Sequence, residues 1–132
     1  MKSQAALITG GGSGIGFATA KLMLEEGARV TIVGRDMKKL EQAKKDLAEH
    51  GDRLRIASGS VGSEGFANKF IADALDAFGA LDILVNNAGV FRGGSILEMS
   101  EEDFDYNIDV NLKGTWFMCR FAARALIKSG GG

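Results

Sequence analysis

The sequence predicts an α/β domain built on a doubly wound parallel sheet. Three observations carry that expectation. Four short apolar runs, Ala5–Ile8, Val30–Val33, Leu54–Ala57 and Leu81–Val85, are partly β-branched and bounded by Gly, Asp or Asn; they have the texture of strands buried on both faces. Longer stretches with helical apolar spacing lie between and after them. Glycine is in excess, 19 of 132 residues with no Pro, about twice average usage. Without a Gly-X-Y period or any Pro, that surplus serves turns and not a collagen-like or disordered tract.

Each element has its own signature. After the first strand, Ile15, Ala18 and Leu22 describe an apolar stripe closed by Gly27. After the second, Asp36 reads as an N-cap and Leu40, Ala43 and Leu47 form a stripe ending at His50-Gly51. Phe66, Phe70, Ile71, Ala74 and Phe78 form a third, ending at Gly79. Ser100 followed by Glu101, Glu102 and Asp103 is an N-cap with an acidic first turn. It opens one long helical stretch carrying Phe104, Ile108, Leu112, Trp116 and Leu126. The order β-α-β-α-β-α-β-α with right-handed crossovers gives strands 3-2-1, and the fourth crosses over to give 3-2-1-4. Ligands in such sheets bind beyond the carboxyl ends of strands one and four, where the order reverses. The chain is the length of one domain and contains no repeat or linker; only Gly130-Gly131-Gly132 is low in complexity.

Composition excludes several function classes. One Cys rules out a disulfide framework and Cys-based zinc or iron–sulfur sites, and one His rules out a multi-histidine metal site. Sixteen basic against 17 acidic residues leave no footprint for nucleic acid. No apolar run approaches a membrane span, and Ala5–Ile8 is too short for a signal-peptide core, so the expected location is the cytoplasm. Cys119 is expected to be a buried structural thiol. His50 is expected to compensate a helix dipole, and Lys38, Lys39, Lys44 and Lys45 to form a solvated face.

The densest motif is Thr9-Gly10-Gly11-Gly12-Ser13-Gly14-Ile15-Gly16, between the first strand and the first helix. No register satisfies G-x-G-x-x-G, and a P-loop fails because Phe17 stands where Lys is required. What remains is G-x-x-x-G-x-G. Glycines at a strand-to-helix turn permit positive φ and close approach of a pyrophosphate, and the helix offers free N–H groups and the positive end of its dipole. A tight turn that merely needs glycine is the alternative.

Thr9-Gly10-x-x-x-Gly14-x-Gly16, then Asn86-Asn87-Ala88-Gly89 after the fourth strand, then Asn111-Leu112-Lys113-Gly114 in the last helix, together resemble the short-chain dehydrogenase/reductase family. The resemblance runs through the whole chain. It implies a Rossmann-like fold and a nicotinamide dinucleotide lying across strands one and four. It places Gly10, Gly12, Ser13, Gly14, Ile15 and Gly16 at the pyrophosphate, and Asn87, Ala88 and Gly89 beside the adenosine ribose. Ser60-Val61 stands where the family has Asp-Val near the adenine. The family's acidic residue after strand two is replaced by Gly34, with Arg35 next; a guanidinium there pairs with a 2′-phosphate, which favours NADP(H). NAD(H) remains the alternative, because Asp36 lies 20 residues beyond Gly16 and fits a simple spacing rule. Many relatives add a basic residue within the glycine turn, where this chain has Ser13; Lys38 or Lys39 could contribute instead.

By the same resemblance, catalysis uses an Asn, a Ser and a Tyr-x-x-x-Lys pair. Asn111 matches the first, and nothing here matches the others. The only Tyr is Tyr106, with Val110 four residues on, and it is better read as a helix residue of a packing or partner face. The resemblance thus implies an oxidoreductase acting on an alcohol/carbonyl pair, present as its cofactor-binding part and truncated before a fifth strand. An inactive dinucleotide-binding module or a self-assembling structural fragment is the alternative. Strand four then becomes an apolar edge, the last helix exposes Trp116, Phe117 and Phe121, and a homo-oligomer is expected.

Overall fold

A computed structural model of the chain describes residues 1–130; Gly131 and Gly132 of the glycine tail lie outside the described residues. Strands β1 (Ala5–Thr9), β2 (Arg29–Gly34), β3 (Leu54–Ser58) and β4 (Ile83–Val85) alternate with helices α1 (Gly14–Glu25), α2 (Met37–Asp46) and α3 (Glu64–Phe78). A last helical run comprises α4 (Glu101–Ile108), a π-turn over Asp109–Lys113, and α5 (Gly114–Lys128). The sheet is parallel, in the expected order β3-β2-β1-β4.

Alternation along the buried strand β1 divides the core. Ala6 and Ile8 face one layer with Ala20, Leu24, Leu40, Ala43 and Leu47 of the α1–α2 side. Leu7 faces the other, where Phe70, Ile71 and Ala74 of α3 meet Met118 and Ala122 of α5. β4 is shorter than expected. Asp82 Oδ2 accepts from Ala5 N at 2.7 Å while Asp82 N donates to Ala5 O at 2.8 Å. The side chain thus takes the place of a ladder rung, and Leu81, though fully buried, lies ahead of the strand.

Two expected helix faces are corrected. On α1 the residues turned inward are Gly16, Ala20 and Leu24; Ile15, Ala18 and Leu22 are exposed. Small side chains bring this helix close to the sheet, so the contact face is the one that looked weakly apolar. The run from Ser100 behaves alike. Val110, Gly114, Met118, Ala122 and Ala125 are buried, whereas Phe104, Leu112 and Trp116 are exposed. Nor is it one uninterrupted α-helix, because the π-turn adds a residue to one turn and shifts the phase of everything after it. Phe117 and Phe121 are half-buried against the core.

The end signals hold. Asp36 Oδ1 caps α2 by accepting from Lys38 N at 3.0 Å and Lys39 N at 3.2 Å. Ser100 Oγ caps α4 by accepting from Asp103 N. Gly79 ends α3 at φ +73. His50 differs from expectation: its side chain is buried in a 3-10 turn (Ala48–Arg53), 3.1 Å from Arg53 Nη2. The basic residues in the last turn of α2 are Lys44 and Lys45, and Arg53 serves α1, donating to Leu24 O at 2.6 Å and Ala28 O at 3.2 Å at its end. No helix among the described residues is long and apolar enough to cross a membrane.

Phe70 is the largest fully buried side chain. Phe70→Ala is expected to lower unfolding free energy by about 3–5 kcal/mol, whereas Phe66→Ala, at a half-exposed ring, costs less. Urea titration followed by circular dichroism checks both.

Candidate functional site

The carboxyl ends of β1 and β4 are tied together by one side chain from each. Thr9 Oγ1 accepts from Asn87 N at 3.0 Å and Ala88 N at 2.9 Å. Asn87 Nδ2 donates back to Thr9 O at 3.0 Å and Gly10 O at 3.2 Å. The Thr9 side chain is almost completely buried, so these bonds form away from water, where leaving an N–H unpaired is costly. The sequence marked Thr9 only as the leading residue of the glycine motif, and its part in the clasp was not read from it.

That closeness explains two glycines. A Cβ at Gly16 would lie 2.4 Å from Gly10 O and 2.6 Å from Asn87 Nδ2. One at Gly10, whose φ is +67, would lie 2.9 Å from Asn87 Nδ2. Gly11, not nominated from the sequence, is equally tight against Ile32 at 2.6 Å. Gly14 is different: it has φ +55 and open space above it. Beyond the turn, α1 starts at Ser13, whose hydroxyl makes no capping bond, and its first turn contains no acidic residue. An uncapped helix start behind a turn with no room for a side chain at Gly10, Gly11 and Gly16 suits an anionic group.

A cleft of about 170 Å³ opens over this turn. Gly10, Gly12 and Ser13 line it from the turn, Gly34, Arg35 and Asp36 from the end of β2, Ser60 and Val61 from the end of β3, and Ala88 and Gly89 from the end of β4. Most of the residues nominated from the sequence therefore meet in one place. Gly14 and Ile15 stand beside it at the start of α1, with Ile15 largely exposed. Gly16 and Asn87 brace the turn from behind. Of the two lysines considered, Lys39 lines the cleft and Lys38 does not. Val61 packs against the start of α5: a Cβ at Gly114 would come within 2.7 Å of its Cγ2.

Asn111 lies in the π-turn and does not line the cleft. Its Oδ1 accepts from Val90 N and its Nδ2 donates to Val90 O, both at 2.8 Å. Asn107, one helical turn earlier, repeats the arrangement on Arg92, accepting from its N at 2.9 Å and donating to its O at 2.5 Å. The i,i+4 spacing of two asparagines was the available signal for this pair. Asn86 Nδ2 approaches Cys119 Sγ at 3.3 Å. Cys119 is exposed on α5, not buried as expected, because Met118 and Ala122 take the inward face. Asp109, 2.7 Å from Lys113 Nζ, holds that ammonium above the usual lysine value by its hydrogen bond and charge. Among the described residues no three His, Cys, Asp or Glu gather to hold a metal ion.

Arg35 leans across the cleft mouth, its Nη1 donating to the Tyr106 hydroxyl of α4. Tyr106 is half-buried between two arginines.

Thr9→Val keeps the shape and removes the acceptor for two N–H groups; a loss of about 2–4 kcal/mol is expected by denaturant titration. Gly16→Ala forces a backbone shift and is expected to cost about 3 kcal/mol. Gly14→Ala pays only for its left-handed φ, about 1–2 kcal/mol. Equal costs for the two alanines, measured the same way, would contradict the close-contact explanation.

Known proteins place this geometry in context. The family model described as short chain dehydrogenase matches residues 4–132. Among curated proteins, the (2S)-[(R)-hydroxy(phenyl)methyl]succinyl-CoA dehydrogenase subunit BbsD of Thauera aromatica is 40 % identical over 119 residues, 90 % of this chain and 48 % of that protein. Among solved structures, a metagenomic short-chain oxidoreductase in complex with NADP aligns with a TM-score of 0.92 at 33 % identity, covering 100 % of this chain and 60 % of that one. An alcohol dehydrogenase from the archaeon Thermococcus sibiricus, complexed with 5-hydroxy-NADP, gives 0.90 at 31 % identity, with 97 % and 55 % covered. The chain spans about half the length of the curated relatives it matches. A match unbroken from the first strand to the last helix, on a sheet of the same order, makes this chain a member of the short-chain dehydrogenase family.

Proposed function

We propose that the chain binds NADP(H) and carries the cofactor-binding part of a cytoplasmic oxidoreductase acting on an alcohol/carbonyl pair. The observation that carries this reading is Arg35 at the lip of the glycine-turn cleft, in the place that follows β2. Asp36 also lines the cleft, but its Oδ1 already caps α2. Two similar solved structures contain NADP or 5-hydroxy-NADP, in keeping with the same choice here.

In this reading Gly10, Gly12, Ser13, Gly14, Ile15 and Gly16 receive the pyrophosphate against the start of α1, and Arg35 pairs with the 2′-phosphate. Ser60 and Val61 form the adenine end, while Asn87, Ala88 and Gly89 wall the ribose. The bound dinucleotide supplies the hydride. Asn111 is the one member of the family's catalytic set found here, and its bonds to Val90 give it the task of fixing the loop after β4. In the family, proton transfer uses a Ser with a Tyr-x-x-x-Lys pair; these 132 residues contain no Tyr-x-x-x-Lys, and none of their serines matches the family's Ser.

Fluorescence titration tests the reading. NADPH is expected to bind more tightly than NADH. Arg35→Ala should weaken NADPH about tenfold or more and leave NADH nearly unchanged, and no carbonyl reduction should be seen with the chain alone. Tighter binding of NADH, or turnover, contradicts it.

A second reading, self-association, draws on a separate observation. The edge strand β4 is only half-buried, and Phe104, Leu112 and Trp116 project from the last helices. Both are association surfaces. Light scattering at tens of micromolar is expected to show an oligomer, reduced in mass by Trp116→Glu; a monomer throughout counts against it.

A further inference from the structure

We propose that the 2′-phosphate site contains a second cation, Arg92, and that Tyr106 is the positioning residue that joins it to Arg35. The proposal rests on the NADP(H) reading above and names the groups that would decide it. Neither residue belongs to the motifs that identify the family, and neither was assigned such a role from the sequence.

The geometry is a stack around one phenol. The Arg92 guanidinium carbon lies 3.6 Å from the Tyr106 ring centre, which is cation–π contact. The Arg35 guanidinium carbon lies 5.7 Å from the same centre, and its Nη1 donates to the Tyr106 hydroxyl. That bond uses one side of the Arg35 fork and leaves the Nε–Nη2 edge, the edge suited to a bidentate bond with a phosphate. Arg92 is set in place through its backbone, since Asn107 bonds both its N–H and its C=O. Its side chain therefore leaves the loop at a fixed point beside the ring.

Charge points the same way. Among the described residues no carboxylate lies within 4.0 Å of a nitrogen of either arginine. Two guanidinium groups held against one ring repel each other unless an anion comes between or beside them. A phosphate monoester at the cleft, with Lys39 on its other flank, supplies that anion. Arg92 and Tyr106 line a groove of their own beside the cleft, together with Glu101, Glu102, Asp105 and Asp109. Removing Arg92 therefore takes away a cation and leaves Glu101, Glu102 and Asp105 without it, Asp109 being paired with Lys113. Both effects act on a 2′-phosphate and barely on a ribose hydroxyl. Ser13 puts no charge in the glycine turn, so the second cation comes from the loop after β4 instead.

The test uses paired nucleotides that differ only in the 2′-phosphate: NADPH against NADH, and 2′,5′-ADP against 5′-AMP. Affinities are measured by fluorescence or calorimetry for the chain and for Tyr106→Phe, Arg92→Ala and Arg92→Lys. Tyr106→Phe and Arg92→Ala are each expected to weaken NADPH and 2′,5′-ADP by about three- to tenfold, with NADH and 5′-AMP within about twofold. Arg92→Lys should recover part of the loss, because the charge is kept. A purely structural role would weaken all four nucleotides alike, and that result overturns the proposal. So does an unchanged NADPH:NADH ratio in Tyr106→Phe and Arg92→Ala. If that ratio is unchanged while Arg35→Ala abolishes the preference, the NADP(H) reading survives and this inference alone falls. If the unaltered chain prefers NADH, both fall.

Discussion

The site depends on the clasp between Thr9 and Asn87. β1 and β4 are adjacent in space but separated by most of the sequence, and each could end in many ways. Thr9 Oγ1 and the Asn87 amide remove that freedom by satisfying four backbone groups at once across the two strand ends. Once the ends are joined, Asn87 occupies the space beneath the turn, and only glycine fits at Gly10 and Gly16. The start of α1 is then pressed toward the sheet, without a side-chain cap on its first N–H groups. The open floor of the site is thus a consequence of crowding behind it.

The sheet order and the site were legible in the sequence for a shared reason. Short apolar runs, an Asp N-cap at Asp36 and a left-handed glycine at Gly79 are local signals, and strand alternation then fixes the topology through handedness. The glycine motif was legible because backbone crowding leaves a compositional trace. The inward faces of α2 and α3 were legible as well, but those of α1 and of the last helical run were not. On α1 and α5 the inward rows are built from Gly16 and Ala20, and from Gly114 and Ala122, with Ile15, Leu22 and Trp116 left outside. Size-weighted reading of apolar stripes favours the larger residues, whereas close helix–sheet approach selects the smaller ones. Cys119, expected to be buried as a lone thiol without a basic partner, also lies outside the inward row.

The bonding of polar side chains to distant backbone was also hidden. Asn107 looks like an ordinary helix-surface residue, and Asn111 was singled out only by the resemblance, not for a bond to backbone. Their value lies in a coincidence of spacing: one helical turn rises about 5.4 Å, and two residues of extended chain advance about 6.6 Å. Two asparagines one turn apart can therefore hold Val90 and Arg92 as a neighbouring strand would. The loop after β4 is pinned on the helix without being part of the sheet.

The π-turn gives that pinning a further meaning. Before it, the helix edge faces the loop; after it, Gly114, Met118 and Ala122 face α3 and the sheet. Each residue advances an α-helix by about 100°, so one residue gained or lost between Asp109 and Lys113 would turn one half against the other by that angle. The segment works as a phase shifter. It lets a single continuous helix keep two appointments, one with the cleft wall and one with the core, that no uniformly wound helix of this sequence could keep together.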